Sequence, residues 1–135
     1  MRKHAGFSLV EVIIVVVTLG ILAAISIPKL LGPNEQIISS EARQTLITLL
    51  GAQKRYSLEN SVYSANLAAL DVTIPASTYF NAPTVANNAA ALASIVRTNT
   101  YVYTLTINDT GIITCGGAGC ATIHCKKGGG ANQCN

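Results

Sequence analysis

A run of apolar residues near the start of the chain, residues 7–27, contains a single charged side chain, Glu11. As a helix, about 21 residues extend about 31 Å, which is close to the thickness of the hydrocarbon core of a bilayer. A carboxylate in such a span costs on the order of 2.5–3.5 kcal/mol near the centre and less near an end, so it calls for a functional partner. The alternative is that Glu11 lies at headgroup level and stays hydrated.

Three interpretations of this segment compete. A secretory signal peptide would use Arg2 and Lys3 as its basic region and cleavage near Ser26, but the apolar run is long and carries Glu11 near its start. An uncut signal anchor would leave a plain single-span protein. The third interpretation is a precursor that is cut before the apolar run, and it rests on the residues at the junction.

At that junction Gly6 and Phe7 are followed by Ser8-Leu9-Val10-Glu11 and then by apolar residues as far as Pro28. Through these residues the sequence resembles the type IV pilin and pseudopilin family. Its pattern is a glycine before the cut, a phenylalanine after it, a glutamate four residues further on and an apolar helix. The match is close over residues 6–31 and looser to residue 63. The resemblance implies an α+β fold, in which a long N-terminal helix with a transmembrane half and an amphipathic half packs against a small antiparallel sheet.

The resemblance also implies roles for three residues. A prepilin peptidase would cut between Gly6 and Phe7 and methylate the new Phe7 amine, and Glu11 would pair with the Phe7 amine of a neighbouring subunit. Opposite charges about 4 Å apart attract strongly at low dielectric, and an unpaired carboxylate in an apolar bundle is penalised. Only one stagger between neighbours would then be tolerated. Because Phe7 and Glu11 are four residues apart on one helix, an intramolecular pair remains the alternative.

The predicted organisation is a leader at residues 1–6, a transmembrane and filament-core helix at 7–31, and an extracytoplasmic domain at 32–135. Arg2 and Lys3 before the span favour an N-terminus inside the cell, although Lys29 weakens the asymmetry. Gly20 and Pro28 predict a kink or a melted stretch in the helix. The expected location is the inner membrane and then an external filament. The partners implied by the resemblance are the peptidase, copies of the chain, other pilins, the inner-membrane assembly platform and, before assembly, lipid.

The domain is predicted to begin with an amphipathic helix at residues 35–60. One face carries residues that recur every three or four positions: Ile38, Ala42, Leu46, Leu49, Gln53 and Tyr56. The opposite face carries polar residues: Glu35, Ser39, Arg43, Lys54 and Arg55. Residues 61–99 read as a connector, with a turn or two of helix at residues 64–70. A second short helix, capped at Asn87 or Asn88, would run through Arg97.

Alternating β-formers predict a three-stranded meander within residues 100–125, with strands at 101–107, 112–115 and 120–125. A fourth short strand is possible. Turn residues at 108–111 and 116–119 separate the strands. The glycine-rich tail at 126–135 is predicted to be irregular.

Four cysteines allow three pairings. Cys115 and Cys120 flank the glycine-rich turn and could pair across it, which would leave Cys125 and Cys134 to fasten the tail; the other pairings stay open. A zinc site with His124 is disfavoured because the spacings lack a C-x2-C pair.

The sequence contains no nucleophile-elbow, phosphate-loop or metal-binding motif, so we expect neither an enzyme nor a cofactor. The net charge of +3 falls to about +1 without Arg2 and Lys3, which makes nucleic-acid binding unlikely. The expected function is therefore a structural subunit, a major or minor pilin, of a pilus-like filament.

Two alternatives to this function remain. One is a minor pilin that contacts DNA or a surface through Arg97, Lys126 and Lys127. The other is a type II secretion pseudopilin. Major pseudopilins commonly bind calcium near the C-terminus, whereas no carboxylate side chain follows Asp109 here, which favours the pilin.

Overall fold

The structure, a computed structural model, describes residues 7–30, 33–99, 101–123, 125–128 and 131–134. The chain divides into two compact units, Met1–Asn34 and Glu35–Asn135. The leader and Gly6 lie outside the described residues.

Helix α1, Leu9–Leu30, begins directly after Ser8. The Ser8 carbonyl accepts hydrogen bonds from the amides of Glu11 at 3.0 Å and Val12 at 3.3 Å. The helix continues through Gly20 and Pro28, so the melted stretch expected at Pro28 is not found. Proline lacks one amide hydrogen, and a single missing bond need not end a helix. Whether the helix is kinked there stays a prediction. Within the described ranges, no helix has both the length and the hydropathy needed to cross a membrane.

Helix α2, Pro33–Asn60, buries one face against a sheet. Ala42, Leu46, Leu49 and Ala52 are fully buried and belong to the core, and Ile38 and Tyr56 pack at its edge. This confirms the predicted apolar face, including the buried amide of Gln53. The three- and four-residue spacing aligns these positions on one side of a helix, and burying that side against strands stabilises both elements.

Two residues that we expected on the polar face of α2 are buried instead. Ser39 is fully buried, and its hydroxyl donates to the Gln36 carbonyl of its own helix at 2.8 Å. Glu35 is 6% exposed. Its carboxylate is hydrogen-bonded to strand residues, a partnership that periodicity along one helix does not reveal.

Within the residues that the structure describes, the sheet has six strands in the order β1-β2-β3-β4-β6-β5, and all its neighbours are antiparallel. The strands are β1 (Thr84–Val85), β2 (Ala93–Arg97), β3 (Tyr103–Ile107), β4 (Ile113–Gly116), β5 (Lys126–Gly128) and β6 (Ala131–Gln133). Ile95, Leu105 and Cys115 are paired across the three central strands, on the face that packs against α2. The α+β prediction, a helix packed on a small antiparallel sheet, is confirmed.

Three local predictions are wrong. The helix expected from Asn87 or Asn88 to Arg97 is strand β2, because β3 offers it a full antiparallel partner. The strand expected at residues 120–125 is largely a 3₁₀ helix, Ala118–Ile123. The tail expected to be irregular forms the β5–β6 hairpin, which pairs with the free edge of β4. For β2 and for the β5–β6 hairpin, pairing with another strand decides the conformation.

The end of α2 is fastened to the connector that follows it. The buried Gln53 side chain donates to the Ser64 carbonyl at 2.7 Å and accepts from the Ser64 amide at 2.8 Å. A short 3₁₀ helix, Leu67–Ala69, then begins at Asn66, whose side chain accepts from the Ala68 amide. This agrees with the turn or two of helix expected at residues 64–70. The two bonds of Gln53 satisfy backbone groups that would otherwise be buried without partners.

Candidate assembly motif and buried ion pair

The predicted assembly residues lie at the start of α1. Phe7 is 80% exposed, and Glu11 occupies the first turn of the helix. The nitrogen of Phe7 is an amide as long as Gly6 precedes it. A Phe7 ammonium that could pair with Glu11, in the same chain or in a neighbour, therefore exists only after cleavage at this bond.

Over residues 9–24 the side chains of α1 are exposed and mostly apolar. Its exposed large apolar side chains are Leu9, Val10, Val12, Ile13, Ile14, Val15, Val16, Val17, Leu19, Ile21 and Leu22. A helix that is apolar all round is stable only when it is buried in protein or lipid. The exposed side chains of α1 are therefore of the kind that an apolar environment stabilises.

A buried ion pair in the second unit joins the start of α2 to the sheet. The Nε of Arg97 donates to Oε1 of Glu35 at 2.9 Å, and Nη2 donates to Oε2 at 3.3 Å. The hydroxyl of Tyr103 donates to the same Oε1 at 3.0 Å, and Nη1 of Arg97 donates to the Tyr79 carbonyl at 3.0 Å. This fork-to-fork geometry satisfies both carboxylate oxygens, as a buried charge requires.

Aromatic rings surround the guanidinium of Arg97. Its central carbon lies 5.3 Å from the centre of the Tyr79 ring and 5.8 Å from that of Phe80. Phe80 also meets the Tyr103 ring edge-on, with centroids 6.2 Å apart. The positive charge thus faces ring surfaces as well as a carboxylate, and both contacts favour it.

The two side chains that donate hydrogen bonds to the Glu35 carboxylate, Arg97 and Tyr103, both have raised pKa values. The hydrogen bond to the Glu35 carboxylate raises the pKa of Arg97 above its usual value. The pKa of Tyr103 is raised by burial of the phenol and then by its hydrogen bond to Glu35. A tyrosinate at this position would stand beside a carboxylate without water, so the protonated phenol is strongly favoured.

Sequence reasoning missed this cluster and named Arg97 only as a contact in the alternative of a minor pilin that binds DNA or a surface. Arg97 is 5% exposed and paired with Glu35, so it is not available for such a contact. Lys126 and Lys127, the other candidate contacts, lie on strand β5. The alternation of apolar and polar residues along β3 does place Tyr103 on the inner face, but nothing in the sequence links it to Glu35.

Both disulfides lie on the side of the sheet formed by β4, β6 and β5. Cys115 is bonded to Cys120 and Cys125 is bonded to Cys134, one of the three pairings left open above. With its sulfur in a disulfide, a cysteine offers no thiolate to a metal ion, so this pairing does not support the zinc interpretation. His124 lies outside the described residues.

A groove of about 350 Å³ runs between α2 and the connector before β2. Its lining is mostly apolar and includes Leu67, Ile74, Phe80 and Ile95, with Glu41 as its ionisable side chain. One carboxylate without an acid–base partner is not a catalytic constellation. The described geometry therefore directs attention to the N-terminal motif rather than to this groove.

Comparisons with known proteins point to the same segment. Residues 1–27 match the family described as the prokaryotic N-terminal methylation motif. The type II secretion system core protein G of Vibrio cholerae is 42% identical over 74 residues, which are 55% of this chain and 51% of that protein. The core protein G of Aeromonas hydrophila is 35% identical over 85 residues, 63% of this chain and 55% of the relative.

A pilus protein is also similar to this chain. The type IV wide pilus major component PilA4 of Thermus thermophilus is 36% identical over 70 residues, 52% of this chain and 53% of that protein. The chain thus spans about half the length of the curated relatives that it matches. No solved structure matches it.

An N-terminal methylation motif on an apolar helix, followed by a helix packed on an antiparallel sheet, defines a pilin-like protein. Together with the two groups of relatives, these features make the chain similar to members of the type IV pilin and pseudopilin family. The names of these relatives denote a core protein and a pilus component rather than enzymes.

Proposed function

We propose that this chain is a structural subunit of a type IV pilus-like filament. It is made as a precursor, cut between Gly6 and Phe7 by a prepilin peptidase, methylated on the Phe7 amine and assembled through α1. The observation that carries this proposal is the methylation motif at residues 1–27, placed at the start of an apolar helix whose side chains are exposed.

Glu11 sets the register of assembly in this proposal. Cleavage creates the Phe7 ammonium, and an incoming subunit places that ammonium against the Glu11 carboxylate of a neighbour. In an apolar bundle a carboxylate that lacks this partner is strongly unfavourable, so subunits staggered wrongly are rejected. The peptide bond to Gly6 prevents the pair before cleavage, which links processing to assembly.

The apolar surface of α1 determines where the subunit resides at each stage. The precursor is held in the inner membrane with its N-terminus inside, and an assembly platform then transfers it into the filament. Lipid around α1 is replaced by the helices of neighbouring subunits, so that surface never has to enter water. The domain from residue 35 onward lies outside the cytoplasm, where its two disulfides are stable.

The test is mass spectrometry of the membrane-extracted chain and of its N-terminal peptide after coexpression with a prepilin peptidase. The wild type should begin at a methylated Phe7. Gly6→Val should begin at Met1, because a branched side chain obstructs the cut. A wild-type chain that begins at Met1 beside an active peptidase would contradict the proposal and leave a signal-anchored domain.

Filament formation tests the role of Glu11 separately. Glu11→Gln has nearly the same shape but carries no charge, so it should be cut and methylated yet fail to assemble. Glu41→Gln, which removes an exposed carboxylate on α2, is the matched control and should assemble normally. Normal filaments from Glu11→Gln would show that the ion pair does not set the register.

A type II secretion filament is the second candidate, because several relatives are named as core protein G of that system. The lack of a carboxylate side chain after Asp109 favours the pilus instead. Complementation separates the two candidates. Restored secretion in a strain without its own core protein G supports the secretion filament, and restored pili in a strain without its pilin support the pilus.

A further inference from the structure

Three of the four cysteine sulfurs converge at one point in the domain. The Sγ atoms of Cys115, Cys125 and Cys134 all lie within 4.8 Å of one another, although only Cys125 and Cys134 are bonded together. The two disulfides are therefore neighbours, and Cys115 is the member of the first that faces the second.

The strand register explains this convergence. Strand β6 pairs with β4 so that Thr114 lies opposite Gln133, and the Cys134 amide donates to the Ile113 carbonyl at 2.8 Å. Cys134 thus lies diagonally across from Cys115 on the buried face of the sheet. The bond to Cys134 then brings Cys125 to the same place.

Cys120 stands apart from this group. It belongs to the 3₁₀ helix Ala118–Ile123, and its sulfur is bonded to Cys115 but is not among the three that converge. The four sulfurs thus form an asymmetric set, in which Cys115 lies within 4.8 Å of both Cys125 and Cys134 and Cys120 does not belong to that group.

We propose that Cys115 is an internal thiol–disulfide exchange centre that corrects the disulfide pairing of the domain. When an external disulfide oxidant has made one bond among the three converging sulfurs, exchange through Cys115 relocates it within the folded chain. Oxidation of Cys120 then forms Cys115–Cys120, which removes Cys115 from exchange and leaves Cys125–Cys134 as the second bond.

The exchange step needs no further oxidant or reductant. The Cys115 thiol loses its proton, and the thiolate attacks the sulfur of Cys134. A Cys115–Cys134 bond forms as the Cys125–Cys134 bond breaks, and the electron pair leaves with Cys125, which takes up the proton. Attack on Cys125 is equivalent and releases Cys134. Because Cys115 and Cys134 are buried, external thiols compete poorly with this internal reaction.

The test uses the full-length chain in detergent, with Cys120→Ser to free Cys115 and Cys115→Ser as the matched control that frees Cys120. Each variant is oxidised with glutathione disulfide and then incubated under native conditions with limiting N-ethylmaleimide, and mass spectrometry locates the label. In Cys120→Ser most of the label should appear on Cys125 or Cys134, because exchange moves the thiol there and the half-buried Cys125 is more accessible than Cys115. In Cys115→Ser the label should stay on Cys120.

Label confined to Cys115 in the Cys120→Ser variant would overturn the proposal. Circular dichroism first establishes that both variants fold. A wild-type experiment does not depend on either variant: a limiting dithiol opens one disulfide, and the free thiols are trapped with maleimide. Label on Cys120 together with Cys125 or Cys134 supports exchange, and label only on the original bonded pairs overturns it.

Discussion

At the scale of single residues, the ion pair of Glu35 and Arg97 is the most consequential contact in the domain. Both side chains are nearly inaccessible to water, and each is the partner of the other. Removing one partner of such a pair leaves an uncompensated buried charge, whereas removing both does not. The pair therefore specifies how the start of α2 meets β2, whatever its net contribution to stability.

We expect Glu35→Gln and Arg97→Met each to lower the free energy of unfolding by about 3–5 kcal/mol, because each leaves a buried charge unpaired. The double variant should lose less than the sum of the two single losses, since neither charge then remains. Urea denaturation of the four chains measures this double-mutant cycle. A loss in the double variant equal to the sum of the two single losses would show that the two residues do not interact.

The exposed ion pair of Arg55 and Asp71 is the control for this cycle. Its atoms approach to 2.7 Å, but the two side chains are 53% and 64% exposed. Water screens such a pair, so Asp71→Asn should leave the unfolding midpoint almost unchanged. The contrast between the two pairs isolates the effect of burial from that of distance.

Tyr103 should make the domain sensitive to alkali. Its raised pKa means that the folded state holds the phenolic proton more tightly than the unfolded state does. The stability that the folded state gains from this raised pKa is fully present below about pH 10, the pKa of an unperturbed tyrosine. It is lost as the pH rises toward the pKa of Tyr103 in the folded state. Urea midpoints measured from neutral to strongly alkaline pH should therefore fall at the alkaline end.

Tyr103→Phe identifies the residue responsible for that fall. Phenylalanine retains the ring contact with Phe80 but carries no ionisable hydroxyl, so the alkaline decrease should become shallower. It also removes the hydrogen bond to Glu35, so stability at neutral pH should drop by about 0.5–1.5 kcal/mol or somewhat more. An unchanged alkaline slope would mean that another group causes it.

At the scale of elements, the turn between β4 and the following 3₁₀ helix approaches the backbone of residues 101–103 closely. A Cβ at Gly119 would lie 2.9 Å from Cδ1 of Tyr103 and 3.0 Å from the Val102 carbonyl oxygen. The Gly119 amide donates to that same oxygen at 3.1 Å. Glycine at this position allows the turn to pack against the strand that carries the buried tyrosine.

Gly119→Ala should therefore destabilise the domain by about 1–3 kcal/mol, the usual cost of forcing extra atoms into a packed site. Gly116→Ala, at the end of β4 beside that turn, is the matched control, because a Cβ there meets nothing within 4 Å. It should change stability by no more than about 0.5 kcal/mol. Thermal unfolding of both variants measures this difference. Equal losses of stability in the two variants would contradict the packing argument.

At the scale of the whole molecule, the hydrophobic core belongs to the second unit alone. Among the described residues, every member of the buried core cluster lies between Ala42 and Cys134, and the residues at its edge begin at Ile38. We therefore expect the domain to fold around this core without α1. A core of this kind would suit the proposed filament subunit, whose helix would exchange lipid for protein while its domain stays folded.

A fragment of residues 33–135 should accordingly be monomeric in water and unfold in one cooperative transition. The full chain should need detergent, because the apolar surface of α1 is exposed. Gel filtration and thermal circular dichroism test both statements. A fragment that binds hydrophobic dyes and melts without cooperativity would show that α1 contributes to the core.

Elements with a strong local pattern were predictable, and the pairing of distant segments was not. The apolar face of α2 and the alternation along β3 can be read directly from residue spacing. Strand β2 looked helical because Ala91, Leu92 and Ile95 also fit a helical spacing. This segment is a strand rather than a helix because β3 forms five residue pairs with it along its whole length.

By itself, the sequence determined the N-terminal motif, the apolar helix α1 and the buried face of α2, because each depends on residues a few positions apart. The tertiary structure alone decided the six-strand order, the ion pair of Glu35 with Arg97 and the convergence of three cysteine sulfurs. Arg97 is 62 residues from Glu35 in the chain, and the register of β4 with β6 brings Cys134 to Cys115. Contacts of this kind depend on how the chain folds back on itself, and no local pattern of residue types records them.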